Sequence, residues 1–468
     1  MCRISIPGRR RSARASGPVA TLNPREGPMS DSDSESEQVL AAPSLHRRHL
    51  LLGGAAALGG LPALVRAQSA ARTLKIGYLT TLSGVRANFG EADTWSLERI
   101  RALVKDGLDI AGERYRVEIV VRDTQSDANR GASLAAELVL REKVDLLLVQ
   151  DSDAALAAGQ LCDVHGVPMI STMGPWQAIV FGRGSTPAKG FPFSFHFFWG
   201  ADDVLKNFFG MWEPLKIERR LGTLYIDNGP GHAFADPATG IPAGARQHGY
   251  QETSGGFFKI ATDDFSNQVS SFKAAQTRIV SGFAYANHVA TFWKQAQQAS
   301  FRPEVVTLAA AFLFPSAVEA LGPAGNGMST EVWWTPAFPF KSSLTGQSAR
   351  ALADDWEKST GRQWTQPIGY GHALFEVGLA ALKATPNPKD RKALRDAIAG
   401  LQLDTVVGRV DFKSSPIRSV AVTPMVAGQW RRTQGGRFPY ELVITHNATA
   451  PQIPVQDGLM LLSQLKAV

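Results

Sequence analysis

Residues Leu74 to Gly90 read LKIGYLTTLSGVRANFG, and the order of residue types in this stretch decides the fold class. Leu74 to Leu79 reads as a short, buried β-strand, Thr80, Thr81 and Ser83-Gly84 as a polar turn, and the residues near Phe89 as the start of a helix. A strand running into a Ser/Gly loop and a helix N-terminus points free backbone N–H groups and the positive end of a helix dipole at one spot. The junction is therefore a candidate ligand platform.

Working outward, the pattern keeps alternating. Strands are expected at Leu74–Leu79, Tyr115–Arg122, Asp145–Val149 and Pro168–Ser171, and helices at Glu91–Lys105, Asn129–Glu142 and Ala154–His165. Such βαβα order implies a parallel sheet covered on both faces, with ligands bound outside the carboxyl ends of its strands. Those ends are the loops Thr80–Gly84, Asp123–Asp127, Gln150–Asp153 and Ser171–Trp176.

The Gly/Pro-rich stretch Phe181–Pro192 interrupts the rhythm, and FSFHFFW at Phe193–Trp199 follows. A second alternation then begins: strand Arg220–Ile226, loop Asp227–Ala235, helix Pro242–His248, strand Gln251–Phe258, helix Phe265–Ala275, strand Ile279–Ala284, helix His288–Ser300 and strand Glu304–Ala310. Two Rossmann-like α/β lobes with parallel sheets are the economical reading, residues 73–195 with 338–408 forming one and 196–335 with 409–468 the other. Crossing segments are expected at Phe191–Gly200, Val332–Phe340 and Val407–Phe412, and Ile368–Lys383 as an amphipathic helix returning to the first lobe.

Upstream, Arg47-Arg48 is followed by the apolar run from Leu50 and the small-residue stop Val65-Arg66-Ala67, so residues 46–67 resemble a cleaved twin-arginine export signal. Four Gly and one Pro within that run argue against a retained anchor. Residues 1–45 are basic, then acidic and Ser-rich (MSDSDSESE from Met29), a leader with nothing to pack or a mis-assigned start, translation beginning at Met29. The expected location is the periplasm.

About 400 residues follow the signal, enough for two domains. Of the seven net positive charges, four belong to the leader, with its nine Arg against five Asp or Glu. The near-neutral remainder has no basic cluster, which removes the case for nucleic acid. Cys2 lies in the leader, so Cys162 has no internal partner and reads as a small buried hydrophobe.

Enzymatic tools are missing: there is no P-loop, GxSxG elbow, HExxH or paired CxxC, and of the nine scattered His, His165, His196, His232, His248, His288 and His372 never fall at metal-ligand spacing. Neither a metal nor a cofactor is expected. Asp263-Asp264 reads as helix-capping acid. Asp151-Ser152-Asp153, after a buried strand and at a helix start, fits a cap and a ligand contact equally. Aromatics such as Phe89, Trp176, Phe198, Trp199, Tyr285 and Phe314 gather near strand ends and the crossing segment, which points to an apolar or aromatic ligand face.

KIGYLTTLSGVRANFG, VEIVVRDTQSDANRGASLAAELV, VDLLLVQDSDAA, HGVPMIST, DDFSNQVSSFKAA and the closing GQW at Gly428–Trp430 together resemble the periplasmic substrate-binding proteins of branched-chain amino-acid ABC transporters. The resemblance spans nearly all of residues 74 to 430. It implies the type I periplasmic binding fold, two lobes closing like a jaw around a three-strand hinge, and a monomer that passes a small-molecule solute to a membrane ABC permease. Carried over by position, it places ligand contacts at Ser83, Gly84, Phe89, Ser152, Thr172, Met173 and Trp176 in the first lobe, to which the reading of the helix start adds Asp151. In the second it places them between Asn228 and His232 and between Tyr285 and Asn287.

The chain departs from that pattern. Where amino-acid binders of the family carry an acidic residue at a second-lobe strand end to hold the ligand ammonium, it reads Thr307-Leu-Ala-Ala-Ala311-Phe312, and a bare ammonium would be desolvated without a counter-ion. The family's YG step is replaced by NGPGHAF, and Gln125-Ser126 stands where a disulfide Cys is usual. The expected solute is thus a small or aromatic carboxylate, or an amide, rather than leucine. Ser83, Ser152 and Thr172 would hold its polar end, and Phe89, Trp176 and Tyr285 would bury the rest. A ligand-binding sensor domain of the same fold is the alternative, although GLMLLSQLKAV at the end is too short for a transmembrane helix. An exported enzyme is the third reading.

Overall fold

The structure is a computed structural model and describes residues 72–465; the leader and the export signal lie outside them. The first lobe opens with β1 (Arg72–Thr80), α1 (Asp93–Leu103), β2 (Leu108–Ile110), β3 (Glu113–Asp123), α2 (Ala128–Ala136), β4 (Leu146–Val149), α3 (Ser152–His165), β5 (Met169–Ser171), α4 (Trp176–Gly182) and β6 (Ser194–Phe197). Every residue of β4, LLLV, is buried, as a central parallel strand covered by helices on both faces requires. Helices begin where the sequence supplies caps: Asp127 accepts from the Arg130 N–H and Asp151 from the Asp153 N–H.

The chain then enters the second lobe with α5 (Ala201–Trp212), β7 (Arg220–Ile226), α6 (Gly229–Ala235), α7 (Ile241–Gln247), β8 (Gln251–Phe258), α8 (Ser266–Ala274), β9 (Ile279–Phe283), α9 (Ala286–Gln298), β10 (Val305–Ala309), α10 (Pro315–Glu319) and β11 (Ser329–Val332). It returns with α11 (Ala349–Thr360), α12 (Pro367–Lys383), α13 (Arg391–Ala399), the hairpin β12 (Gln402–Thr405) and β13 (Gly408–Asp411), and β14 (Val420–Ala421). It finishes in the second lobe with β15 (Val426–Arg432) and β16 (Tyr440–His446).

The first sheet runs β14-β6-β5-β4-β1-β3-β2 and the second β16-β15-β11-β10-β9-β7-β8. Both are parallel at their centres, with antiparallel pairs at β2–β3, β11–β15 and β15–β16. Strand order reverses between β1 and β4 in the first lobe and between β7 and β9 in the second. A parallel sheet opens a crevice at such a point, beyond its carboxyl ends. The two-lobed α/β fold is as expected.

Sheet membership moves two of the expected lobe limits. His196 and Phe197 pair with β5 and β14, so the first crossing follows Phe197. The last crossing lies between Ala421 and Val426, because Val407–Phe412 contributes to the β12–β13 hairpin and β14 still belongs to the first sheet. All three connections between the lobes are irregular segments rather than strands. Two elements also differ in kind. NGPGHAFA, expected as a loop, is the short helix α6, capped by Asn228. The helix α12, expected to be amphipathic, is buried almost all round. Gly369 makes this possible, since a Cβ there would sit 2.3 Å from the Trp334 ring. Cys162 is fully buried in the first lobe, and burial pushes its thiol pKa up.

Candidate functional site

The carboxyl ends of the two sheets face each other across a cleft. It holds about 470 Å³ of empty space, its mouths to solvent included. The first lobe lines it with Thr81, Arg86 and Phe89 after β1, Gln150, Asp151 and Ser152 after β4, and Met173 and Pro175 after β5. Pro230 follows β7, Phe283 and Tyr285 sit at the end of β9, and Ala310 and Leu313 follow β10. Glu331 comes from β11, and the crossing segments add Phe198, Trp199 and Trp333.

On the first-lobe side most polar groups are already paired, Arg86 Nε being an exception. Arg86 Nη1 lies 2.5 Å from Asp151 Oδ1 and 3.1 Å from Asp153 Oδ2, and Nη2 donates to Asp151 Oδ2 at 3.2 Å. The Thr124 hydroxyl donates to the same carboxylate at 2.5 Å. Burial alone would lower the Arg86 pKa, but Asp153 and Asp151 raise it, so the guanidinium stays charged. Burial raises the pKa of Asp153 against the pull of Arg86. Gln150 is committed as well: its Nε2 donates to the Phe89 carbonyl at 2.6 Å.

On the second-lobe side the Glu331 carboxylate accepts from the Ala310 N–H at 2.9 Å and from the Thr330 hydroxyl at 2.7 Å. Burial pushes its pKa up to about 7, those two hydrogen bonds pulling the other way. Ala310 has φ of 64°, and Met173 in the opposite lobe has φ of 61°. Each such backbone costs about 1–3 kcal/mol for a residue with a Cβ, and such strain gathers at ligand clamps. Here the two strained residues line one cleft from opposite sides.

Aromatic rings bridge the lobes. The Phe89 ring meets Phe314 edge-on at 5.0 Å and Tyr285 at 6.2 Å. Phe198 packs on Trp199 at 4.4 Å, Tyr370 at 4.8 Å and Trp333 at 5.4 Å, while the Tyr370 hydroxyl lies 2.6 Å from Thr423 Oγ1. One aromatic cluster thus touches all three crossings. Gln366, fully buried, holds the second by accepting from the Trp333 N–H at 2.7 Å. The Trp430 indole of the GQW motif donates to the Phe312 carbonyl at 2.5 Å, fixing the loop that carries Leu313.

Two lobes, three crossings and facing switch points are the architecture of a binding protein, and the family model for periplasmic binding proteins matches residues 73–437. The chain belongs to that family. Among relatives, it is 22% identical over 355 residues to the Leu/Ile/Val-binding protein homolog 4 of Brucella abortus, covering 74% of this chain and 82% of that one. Its fold is similar to that of a leucine-binding protein from Thermotoga maritima, with a TM-score of 0.64 at 17% identity over 80% of this chain and 99% of the other. It is also similar to an ABC-transporter solute-binding protein from Rhodopseudomonas palustris BisB5, solved in complex with 3,4-dihydroxybenzoic acid. There the TM-score is 0.64 at 19% identity, over 80% of this chain and 98% of the other.

Of the positions expected from the sequence of this binding protein, Phe89, Asp151, Ser152, Met173 and Tyr285 line the cleft. The others lie elsewhere. Ser83 donates to Asp123 Oδ2 at 2.7 Å, and Gly84, with φ of 86°, turns so tightly that a Cβ would lie 2.4 Å from the Gln125 carbonyl. Both tie the first loop to the loop after β3. Thr172 donates to the Phe197 carbonyl at 2.7 Å, and Trp176 packs on Phe181. Asn228 caps α6 and donates to the Tyr285 hydroxyl at 2.9 Å, His232 is exposed beside Asp227, and Asn287 is exposed on α9. Asp151 is both helix cap and cleft wall. Asp264 accepts from the Ser266 N–H at the start of α8.

The expectation of a second lobe without a carboxylate is overturned by Glu331. It stands on β11, one strand beyond the Thr307–Phe312 run, and a lone acid in the apolar run EVWW was the signal for it. Arg86 carried no comparable mark.

Proposed function

We propose that the protein is the exported, periplasmic solute-binding component of an ABC transporter, taking a small organic solute into the interlobe cleft and handing it to a membrane permease in the closed state. The observation that carries this reading is the cleft itself, with switch points of two sheets facing each other and rings from both lobes meeting over it. A solute that touches both walls favours the closed arrangement, because only there does it gain both sets of contacts.

The walls suit a compact apolar or aromatic body, gripped by Phe89, Phe198, Phe283 and Tyr285, with one polar head near Glu331 and the crossing segments. Amino-acid-like solutes, aromatic acids and amides all meet that outline; the dihydroxybenzoate bound by the Rhodopseudomonas protein shows that this fold admits an aromatic acid. No catalytic role is assigned to the site.

A thermal-shift screen of the purified protein against branched-chain amino acids, aromatic acids, short dicarboxylates and amides tests the reading. A solute that binds only the native state raises the midpoint in a concentration-dependent manner, by about 2.7 kcal/mol at one hundred times Kd. A shift with one chemical class, lost in Phe89→Ala, is expected. No shift with any class would contradict a solute-binding role.

A further inference from the structure

We infer that the polar head of the solute is an uncharged amide, one group that both accepts and donates hydrogen bonds, rather than a free carboxylate or ammonium. This rests on the solute-binding reading of the cleft.

Three residues that line the cleft each carry a buried N–H with no hydrogen-bond partner among the described residues: Arg86 Nε, Trp199 Nε1 and Trp333 Nε1. These residues are 4%, 2% and 1% exposed, so water does not satisfy them freely. Unpaired buried N–H groups are rare in native proteins and costly to leave unmade. An acceptor on the ligand would pair them. Both indoles belong to crossing segments, so an acceptor that engages them also engages the hinge. The Glu331 carboxylate lines the same cleft; it takes two hydrogen bonds from other residues, against about four sites on a carboxylate, and has capacity for a ligand N–H.

Charge then separates the candidates. Arg86 is the guanidinium of the cleft lining, and its Nη atoms are shared between Asp151 and Asp153, two carboxylates to one cation. Glu331 adds a third titratable acid. A ligand carboxylate would enter with no free cation and with acids already present, and would have to drive protonation of Glu331 to reduce the repulsion. A simple ammonium would suit Glu331 but leave all three orphan donors unpaired. A zwitterion would still bring its carboxylate beside uncompensated acid, and of the three expected hydroxyls Ser83 and Thr172 are committed to Asp123 and Phe197, which leaves Ser152 alone to meet it. An amide presents C=O to the indole and guanidinium N–H groups and N–H to Glu331, with no net charge to desolvate.

Isothermal titration calorimetry on the purified protein decides between these, using benzamide, 4-hydroxybenzamide and butyramide against benzoate, phenylalanine and phenethylamine. Each titration is run in phosphate and in Tris so that the proton count can be read. The expected result is an amide at least about 10-fold tighter than the acid or amine of similar size, with a fraction of a proton released at pH 7 as Glu331 ionises to accept the ligand N–H. In Trp333→Phe, which keeps the ring and removes the N–H, amide affinity falls about 5- to 10-fold without loss of apo-protein stability. Glu331→Gln, still an acceptor, changes amide affinity less than about 5-fold.

Tightest binding by benzoate with proton uptake, by phenethylamine with proton release, or by phenylalanine overturns the amide head and leaves the solute-binding role standing. Failure of all three amides while another charged solute shifts the thermal midpoint does the same. Absence of any shift in the broad screen removes the solute-binding role itself.

Discussion

The two walls of the cleft are built on the same plan and finished differently. In the first lobe the loops after β1, β3 and β4 are laced to one another: Ser83 to Asp123, Ser126 to the Ser83 carbonyl, and Arg86 to Asp151 and Asp153. In the second lobe and the crossings the lining is largely rings and an alanine loop, with one acid and two indole N–H groups short of partners. The charge of the first wall is spent on holding its own loops, with Arg86 Nε left over, whereas the aromatic wall keeps an acid and two indole N–H groups for a guest.

The largest expected effect breaks the scaffold. Arg86→Met strands the buried Asp151 carboxylate and the partly exposed one of Asp153, and should cost about 3–5 kcal/mol of stability, read as a lowered denaturation midpoint. An unchanged midpoint would mean that the guanidinium is not the keystone of that wall.

Next comes the acid on the opposite wall. The Glu331 pKa in the folded state is raised from 4.5 to about 7, so its contribution to stability is intact below about pH 4.5 and is lost as pH rises to 7. Glu331→Gln should therefore gain on the wild type across that window, by about 2–3 kcal/mol above pH 7. His196 and His372, both held down to about 4 by burial, slope the other way between pH 6.5 and 4, so the difference between variant and wild type is the quantity to follow by urea unfolding. A difference that does not change with pH would contradict a buried, neutralised Glu331.

Phe89→Ala removes the ring that reaches across to Phe314, and solute affinity is expected to fall about 10- to 100-fold. The smallest effect belongs to Ser83→Ala. It should cost about 1 kcal/mol of stability through the lost bond to Asp123 and leave solute affinity within about twofold, since the hydroxyl serves the scaffold. A large loss of affinity would return Ser83 to the ligand.

Most of the fold was legible because it depends on periodicity and punctuation. Arg220–Ile226 was read to the residue from its apolar run, and Gln251–Phe258, QETSGGFF, from its place in the alternation of strand and helix. The helix α6 was missed because Gly and Pro speak against a helix locally, while the Asn228 cap and packing of Phe234 override them. The last crossing was missed because β14 is two residues long and owes its place to β6.

The site was legible by half for a related reason. Phe89, Asp151 and Tyr285 stand at the ends of recognisable strands, whereas the serine loop that looked like a ligand cradle spends its hydroxyl on Asp123. Whether a polar side chain faces a ligand or a neighbouring loop depends on long-range pairing, such as the 65-residue separation of Arg86 and Asp151, and local pattern carries no trace of that. Trp333 lay inside an expected crossing, with nothing to show that its ring would line the cleft.

Solute-driven closure of the two lobes is the step on which binding and delivery both depend. Spin labels at Phe181→Cys on α4 and His232→Cys on α6, both exposed and on helices that meet across the cleft, would report the lobe separation by pulsed electron resonance, with Cys162 too buried to take a label. A broad distance distribution that collapses to its short component on saturation with the solute found in the screen is expected. A distribution that the same solute leaves unmoved would contradict closure as the working step.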